Sequence, residues 1–338
     1  MNICRANASR FFQRFVFFLL LSSVISGSLL NVAAQMPTPT PPLIEKKDAP
    51  QKVSEKTEND DEILRVDTTL VSVPVSVTMR DGKFVQNLRR EDFSIYENGV
   101  KQQIEYFAPV EQPFTVVLLI DRSDSVKPLI DDVKKASLAF IDQLRPNDRV
   151  IGIAFDRNAY ILNKKVRDRD GLRAAISGMT TGTGTFLHEV VEGVINRVFK
   201  NLPGRKALIL FTDGQDAWDW EHPKPAVPKT TPETNLRLAE ETGTSVYSIQ
   251  FDSQWRTKIG DRFMKDIAQA TAGRFYRADK LKDFNKVFSQ IAEELRFQYS
   301  IGYYPQTVAQ PGERRSIKVS VSQPDSIVRA RDSYVFVK

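Results

Sequence analysis

The stretch VVLLIDRSDS, residues 116–125, runs five apolar residues into two acids and two serines on one short turn. Two other stretches carry oxygen chemistry of the same kind. TTGTGTF, residues 180–186, sets Thr180, Thr181, Thr183 and Thr185 among glycines, and ALILFTDG, residues 207–214, ends in Thr212 and Asp213. Carboxylate and hydroxyl oxygens are hard ligands, and near-octahedral oxygen sites favour magnesium or manganese with water kept as a ligand. The Asp121-x-Ser123-x-Ser125 spacing lets alternate residues of an extended turn point the same way. A helix beginning after such a turn repels cations through its partial positive end. Neutral hydroxyls alone would hold a divalent ion poorly there, so Asp121 and Asp213 supply the compensating charge. The plainer reading is helix capping, because Asp and Ser are preferred N-caps and Ser123 or Ser125 could cap a helix starting near Pro128. Capping does not require three strand ends at once. Thr180, Thr181 and Thr183 read as loop shape.

These residues need a sheet to bring them together. VVLLID, VIGIAF (150–155), ALILFTD (207–213) and SVYSIQFD (245–252) are nearly continuous apolar runs, the pattern of strands buried on both faces of a parallel sheet. Helical spacing recurs between them over 129–145, 186–202, 261–272 and 280–296. Alternating β and α elements predict a doubly wound, mostly parallel α/β sheet over 113–296. Function in such sheets collects outside the carboxyl ends of the strands, where all three oxygen-bearing stretches fall.

The flanks read as β. LVSVPVSVTM alternates with period two before Asp81-Gly82, and FSIYENGVKQQIEYF holds a strand pair around Asn98-Gly99, a strong hairpin signal. RFQYSIGYYP, RRSIKVSVS and IVRARDSYVFV close the chain as further strands. Neither flank holds enough strands for a stable sheet of its own. The expectation is that 63–112 and 297–338 pair into one β-sandwich with the α/β domain inserted between them; two separate appendages are the alternative.

The amino terminus reads as an export signal. MNICRANASRFFQR is basic, FVFFLLLSSVISGSLL is apolar but short for a membrane span, and cleavage after Ala34 fits small residues at the site. Residues 1–34 are therefore read as a signal peptide, with an uncleaved anchor as the alternative, and 35–62 as a Pro- and charge-rich disordered linker. The expected location is the periplasm, cell envelope or exterior, with no stable membrane span after cleavage. The single cysteine, Cys4, precedes the apolar run, so the mature chain would have no disulfide. A net charge of +6 with mixed signs gives no nucleic-acid stripe.

Taken together, DRSDS, TGTGT before a helix, and FTDG resemble the metal-ion-dependent adhesion site of von Willebrand factor type A domains, at Asp121, Ser123, Ser125, Thr185 and Asp213. The wider chain resembles the acidobacterial VWFA-related type: RDGKFVQNLRREDFSIYENGVKQ precedes the domain and IGYYP follows it. The resemblance implies a magnesium or manganese ion with one coordination position open to a protein partner's carboxylate. It also implies serines binding the metal directly and aspartates acting largely through water. Asp124 departs from the pattern, standing where glycine is common. It adds charge beside the site or points to solvent without a role.

Trp218, Trp220 and Trp255 fall on loops leaving the same edge, and aromatic residues are enriched at interface centres. They are read as an apolar rim that binds the partner; the alternative is that the loops bury their own tryptophans. There is no HExxH, no phosphate-loop lysine and no nucleophile elbow. The expected function is an exported, non-enzymatic, adhesion-type binding module. A metal-dependent hydrolase or phosphotransferase is one alternative, and a structural envelope protein with a vestigial site is the other.

Overall fold

The computed structural model describes residues 70–163, 165–202, 204–216, 230–253, 257–278 and 280–336. The signal and linker readings, at 1–34 and 35–62, lie outside the described residues. Among the described residues no helix is long and apolar enough to cross a membrane.

The described residues begin with β1 (Val71–Met79), β2 (Phe93–Glu97), β3 (Val100–Gln102) and β4 (Tyr106–Ala108). Asn98 and Gly99 take φ of 48° and 82° between β2 and β3, the left-handed pair of a tight hairpin. Then come β5 (Phe114–Asp121), α1 (Ile130–Gln143), β6 (Arg149–Phe155), β7 (Ala159–Ile161), α2 (Arg169–Ser177) and α3 (Leu187–Gly193). They are followed by β8 (Arg205–Thr212), α4 (Pro232–Thr242), β9 (Ser245–Gln250), α5 (Lys258–Ala270), β10 (Phe275–Arg277) and α6 (Leu281–Arg296). The chain returns to β with β11 (Tyr299–Tyr303), β12 (Arg314–Val321), β13 (Ser326–Arg329) and β14 (Ser333–Val335).

The central sheet has the order β10-β9-β8-β5-β6-β7 and is parallel except for the edge strand β7. All eight residues of β5 are buried, which explains its unbroken apolar run. Its side chains serve alternate faces. Val116, Leu118 and Ile120 pack with α1, α2 and α6, while Val117 and Leu119 pack with α3, α4 and α5.

Three local features differ from the periodicity reading. The helix expected over 186–202 ends at Gly193 and widens into a π-helical turn, Val194–Val198. Two helices had no strong apolar signal. Asp168 starts α2 by accepting from Gly171 N at 2.9 Å. Thr231 starts α4 by accepting from Thr234 N at 3.2 Å, Pro232 follows at the first helical position, and Gly243 at φ 60° ends it. Both helices rest on their caps and on a few core contacts, Leu172 and Ile176 in α2 and Leu238 and Ala239 in α4.

The flanking strands form two four-stranded antiparallel sheets, β13-β1-β11-β4 and β14-β12-β2-β3. Each sheet mixes strands from before and after the α/β unit. The two share one apolar cluster, in which Val73 and Val75 meet Ile95, Tyr299, Ile301 and Ile317. Ser76 of β1 is buried outside this cluster and reaches Glu294 of α6 at 3.5 Å.

Candidate functional site

β5 and β8 lie side by side and end together, which places Asp121 and Thr212–Asp213 at neighbouring positions. Asp121 is fully buried. Its Oδ1 accepts from Ser123 N at 2.8 Å and its Oδ2 accepts from Thr212 Oγ1 at 2.6 Å. Ser123 is 2% exposed, and its Oγ stands 3.0 Å from Ser125 Oγ. The capping alternative does not describe these side chains. Residues Asp124–Leu129 form a 3-10 turn before α1, and Ser123 makes no side-chain cap bond to it. Asp124 occupies the first position of that turn and is exposed.

The threonine loop is fastened to this turn through its backbone. Gly182 N donates to Arg122 O at 2.7 Å, and Phe186 N donates to Asp156 O at 3.0 Å. A Cβ on Gly182 would fall 2.0 Å from Asp156 Oδ2, and Gly184 adopts φ +67°. The glycines of TGTGT are what allow the loop to lie this close. Thr185 is left 3% exposed, whereas Thr180 and Thr183 are exposed.

Asp213 is also fully buried. Its Oδ1 accepts from Gln215 N at 3.0 Å and its Oδ2 from Ser253 Oγ at 2.7 Å. Gln250 Nε2 holds its main-chain carbonyl at 2.9 Å and Asp261 Oδ1 at 2.8 Å. Gly214 and Gly260 let the loop after β8 rest on the start of α5, since a Cβ on Gly260 would sit 2.0 Å from Gly214 O.

The electrostatics separate these acids from their neighbour Asp156, whose Oδ2 lies 3.5 Å from Arg122 Nε. Among the described residues neither Asp121 nor Asp213 has a cationic partner within ion-pair distance. Burial first, and then the Asp213 charge, push the Asp121 carboxyl up to about 7. Two buried carboxylates that repel one another are costly without a cation. With the Ser123 and Ser125 hydroxyls on the same turn and the buried Thr185 on the loop fastened to it, the residue types fit a hard divalent ion at Asp121, Ser123, Ser125, Thr185 and Asp213. Among the described residues no group of three or more His, Cys, Asp or Glu is arranged to hold a metal, so this mixed acid and hydroxyl set is the candidate.

Trp218, Trp220 and Trp255, expected as a rim, lie outside the described residues. Several supporting residues escaped the sequence reading. Asp156 closes the run VIGIAFD, a third strand-end acid that was visible as such. Ser253 and Gln250, at and just beyond the end of β9, left no signal because their partners are distant in the chain.

A parallel sheet with helices on both faces, and an oxygen-rich turn at its carboxyl edge, defines the class. The family model for the von Willebrand factor type A domain matches residues 115–290, more than half of the chain. The chain belongs to the von Willebrand factor type A domain family. A UPF0353 protein of Mycobacterium marinum is 23% identical over 209 residues, covering 54% of this chain and 61% of the relative. The chain thus spans about three fifths of the length of that relative. Among solved structures, a von Willebrand factor type A protein from Catenulispora acidiphila is 13% identical with a TM-score of 0.46, covering 73% of this chain and 74% of that one. Proximal thread matrix protein 1 of the mussel byssus, solved with a zinc-occupied adhesion-site motif, is 15% identical with a TM-score of 0.45. That match covers 57% of this chain and 48% of the other.

Proposed function

We propose that the protein is an exported, non-enzymatic binding module. It holds magnesium or manganese at Asp121, Ser123, Ser125, Thr185 and Asp213 and engages a carboxylate of a protein partner. The observation that carries this reading is the pair of fully buried carboxylates, Asp121 and Asp213, bonded by the hydroxyls of Thr212 and Ser253 and, among the described residues, with no cationic side chain within ion-pair distance. The ion would supply positive charge and an open position for an acidic ligand. The residues bury, orient and compensate. Thr212 and Ser123 N fix the Asp121 oxygens, and Ser253 and Gln215 N fix those of Asp213. In this reading the antiparallel sheets act as one sandwich that presents the domain to its partner.

Calorimetric titration with magnesium and with manganese tests the proposal. One site is expected in the wild type, lost in Asp121→Ala and in Asp213→Ala. A wild-type protein that takes up neither ion would overturn the reading. If ion binding holds, chelator-sensitive retention on a surface bearing glutamate-rich peptide is expected. Equal retention with and without chelator would leave the metal reading standing and remove the partner reading.

A further inference from the structure

The amino ends of the parallel strands, away from the oxygen site, carry a different chemistry. β8 starts with Arg205 and Lys206, and β9 follows the turn Thr242–Gly243. Here a cleft of about 300 Å³ separates the sheet β13-β1-β11-β4 from the α/β unit. Its polar lining includes Ser72, Thr242, Gln298, Ser300, Tyr106, Arg205 and Lys206.

The charge of this cleft is one-sided. Arg205 donates to the main-chain carbonyls of Gln112 at 3.0 Å and Leu295 at 2.5 Å. Lys206 Nζ donates to the carbonyls of Phe199 at 2.7 Å and Leu202 at 3.4 Å. A third cation, Arg331, lies behind the cleft wall, 5% exposed, bonded to Ser72 O at 2.7 Å and Glu240 O at 2.9 Å. Among the described residues none of the three forms an ion pair with a carboxylate. Glu240 is engaged by Arg314 at 2.6 Å, and Glu294 by Arg274 and Arg329. Burial lowers the proton affinity of all three cations, Arg331 to about 10; Asp148 partly opposes this for Arg205 and Glu240 for Arg331, while nothing opposes it for Lys206 among the described residues. Among the described residues the buried amide nitrogen of Gln298, a residue only 5% exposed, has no hydrogen-bond partner.

Main-chain carbonyls do not neutralise a cation, and a desolvated charge without a counter-ion is costly. Donors also remain unused, because an ammonium carries three N–H groups and a guanidinium five. The volume sits at the lower end of small-molecule sites and exceeds what a bare ion fills. We propose that the cleft binds a small organic anion. A carboxylate or phosphate group would lie against Lys206 and Arg205, and the polar body would lie against the Ser72 and Ser300 hydroxyls. Such a ligand would tie the antiparallel sheets to the α/β unit, independently of any metal at the opposite edge.

The test is thermal unfolding of the full chain in chelator-containing buffer, with low millimolar citrate, with inorganic phosphate, and with sodium chloride at matched ionic strength. Low concentrations keep general ion-exclusion stabilisation small. At least one of the two probes is expected to raise the midpoint by about 3 °C over the chloride control. Citrate alone would assign carboxylate chemistry, and phosphate alone would assign phosphoryl chemistry. Lys206→Met is expected to lose the response. Ser72 is exposed on β1, so Ser72→Glu tolerates folding and places a carboxylate among the cations. Its midpoint is expected to be at or above that of the wild type, with no response to either probe. The proposal is overturned if neither probe shifts the wild type beyond chloride, or if Ser72→Glu responds like the wild type.

Discussion

Asp121 and Asp156 stand at the ends of adjacent strands, and among the described residues only Asp156 has a cation, Arg122, within ion-pair distance. The difference gives Asp121 a testable pH signature. Its carboxyl is raised from 3.8 to about 7 by burial first and by the Asp213 charge second. A raised acid keeps its proton in the folded state while the unfolded chain loses it. In divalent-free buffer its contribution therefore falls as pH climbs from about 4 to about 7. Asp121→Asn should remove that slope, and a bound cation should reverse it by favouring the ionised form. Urea midpoints near pH 5 and near pH 8, with chelator and with magnesium, would read this; identical slopes in wild type and variant would refute it. His188 has the opposite sign. It is 5% exposed against Phe263 and beside Asn235, and burial holds it at about 4, only partly opposed by Glu233. A depressed base contributes fully above about pH 6.5 and loses that contribution as pH falls toward 4, by about 3 kcal/mol. His188→Gln should show a flatter profile in that window than the wild type, checked by denaturant titration at each pH.

At the level of elements, the site depends on how closely loops approach helices. Gly260 touches the backbone of Gly214, so Gly260→Ala must push apart the loop that carries Asp213 and the start of α5. A loss of about 2 kcal/mol is expected, with weakened cation uptake, because backbone cannot yield as a side-chain tip can. Gly193 is the contrasting case. It is helical, and an added Cβ meets nothing within 4 Å. Gly193→Ala should stabilise by about 0.5–1 kcal/mol. Denaturation of both variants side by side separates the two effects; equal changes would show that the close approach at Gly260 does not matter.

Across the whole molecule, Glu294 of α6 joins the α/β unit to the antiparallel sheets. It is 1% exposed, accepts from Tyr247 Oη at 2.9 Å, lies 3.5 Å from Arg274 Nε, and bonds Arg329 of β13 and Ser76 of β1. Removing one member of a buried charged network strands the others. Glu294→Gln should cost about 3 kcal/mol in chemical denaturation. The exposed pair Arg80–Asp325, at 79% and 66% side-chain exposure, should cost under about 1 kcal/mol when broken by Asp325→Asn. A Glu294 variant as stable as the Asp325 variant would show that the junction is held by apolar contacts alone.

The amino-acid sequence by itself determined the α/β unit and the family. Strands buried on both faces leave uninterrupted apolar runs, and the turns bearing Asp121 and Asp213 follow them directly, whereas the threonine loop, expected at a strand end, runs between α2 and α3. It also carried the hairpin at Asn98-Gly99, because a left-handed pair demands those residue types. The α2 and α4 helices were hidden, since nine and eleven residues make only about two to three turns and each buries few apolar side chains. Only the tertiary structure decided which partners surround each charge. Asp121 meets Thr212 from 91 positions away, Asp213 meets Ser253 from 40 away, and Arg331 meets Ser72 from 259 away. Periodicity reports which face of an element is apolar, a local property. Whether a buried charge finds a counter-charge, a hydroxyl or only a carbonyl depends on what another element brings to the same place.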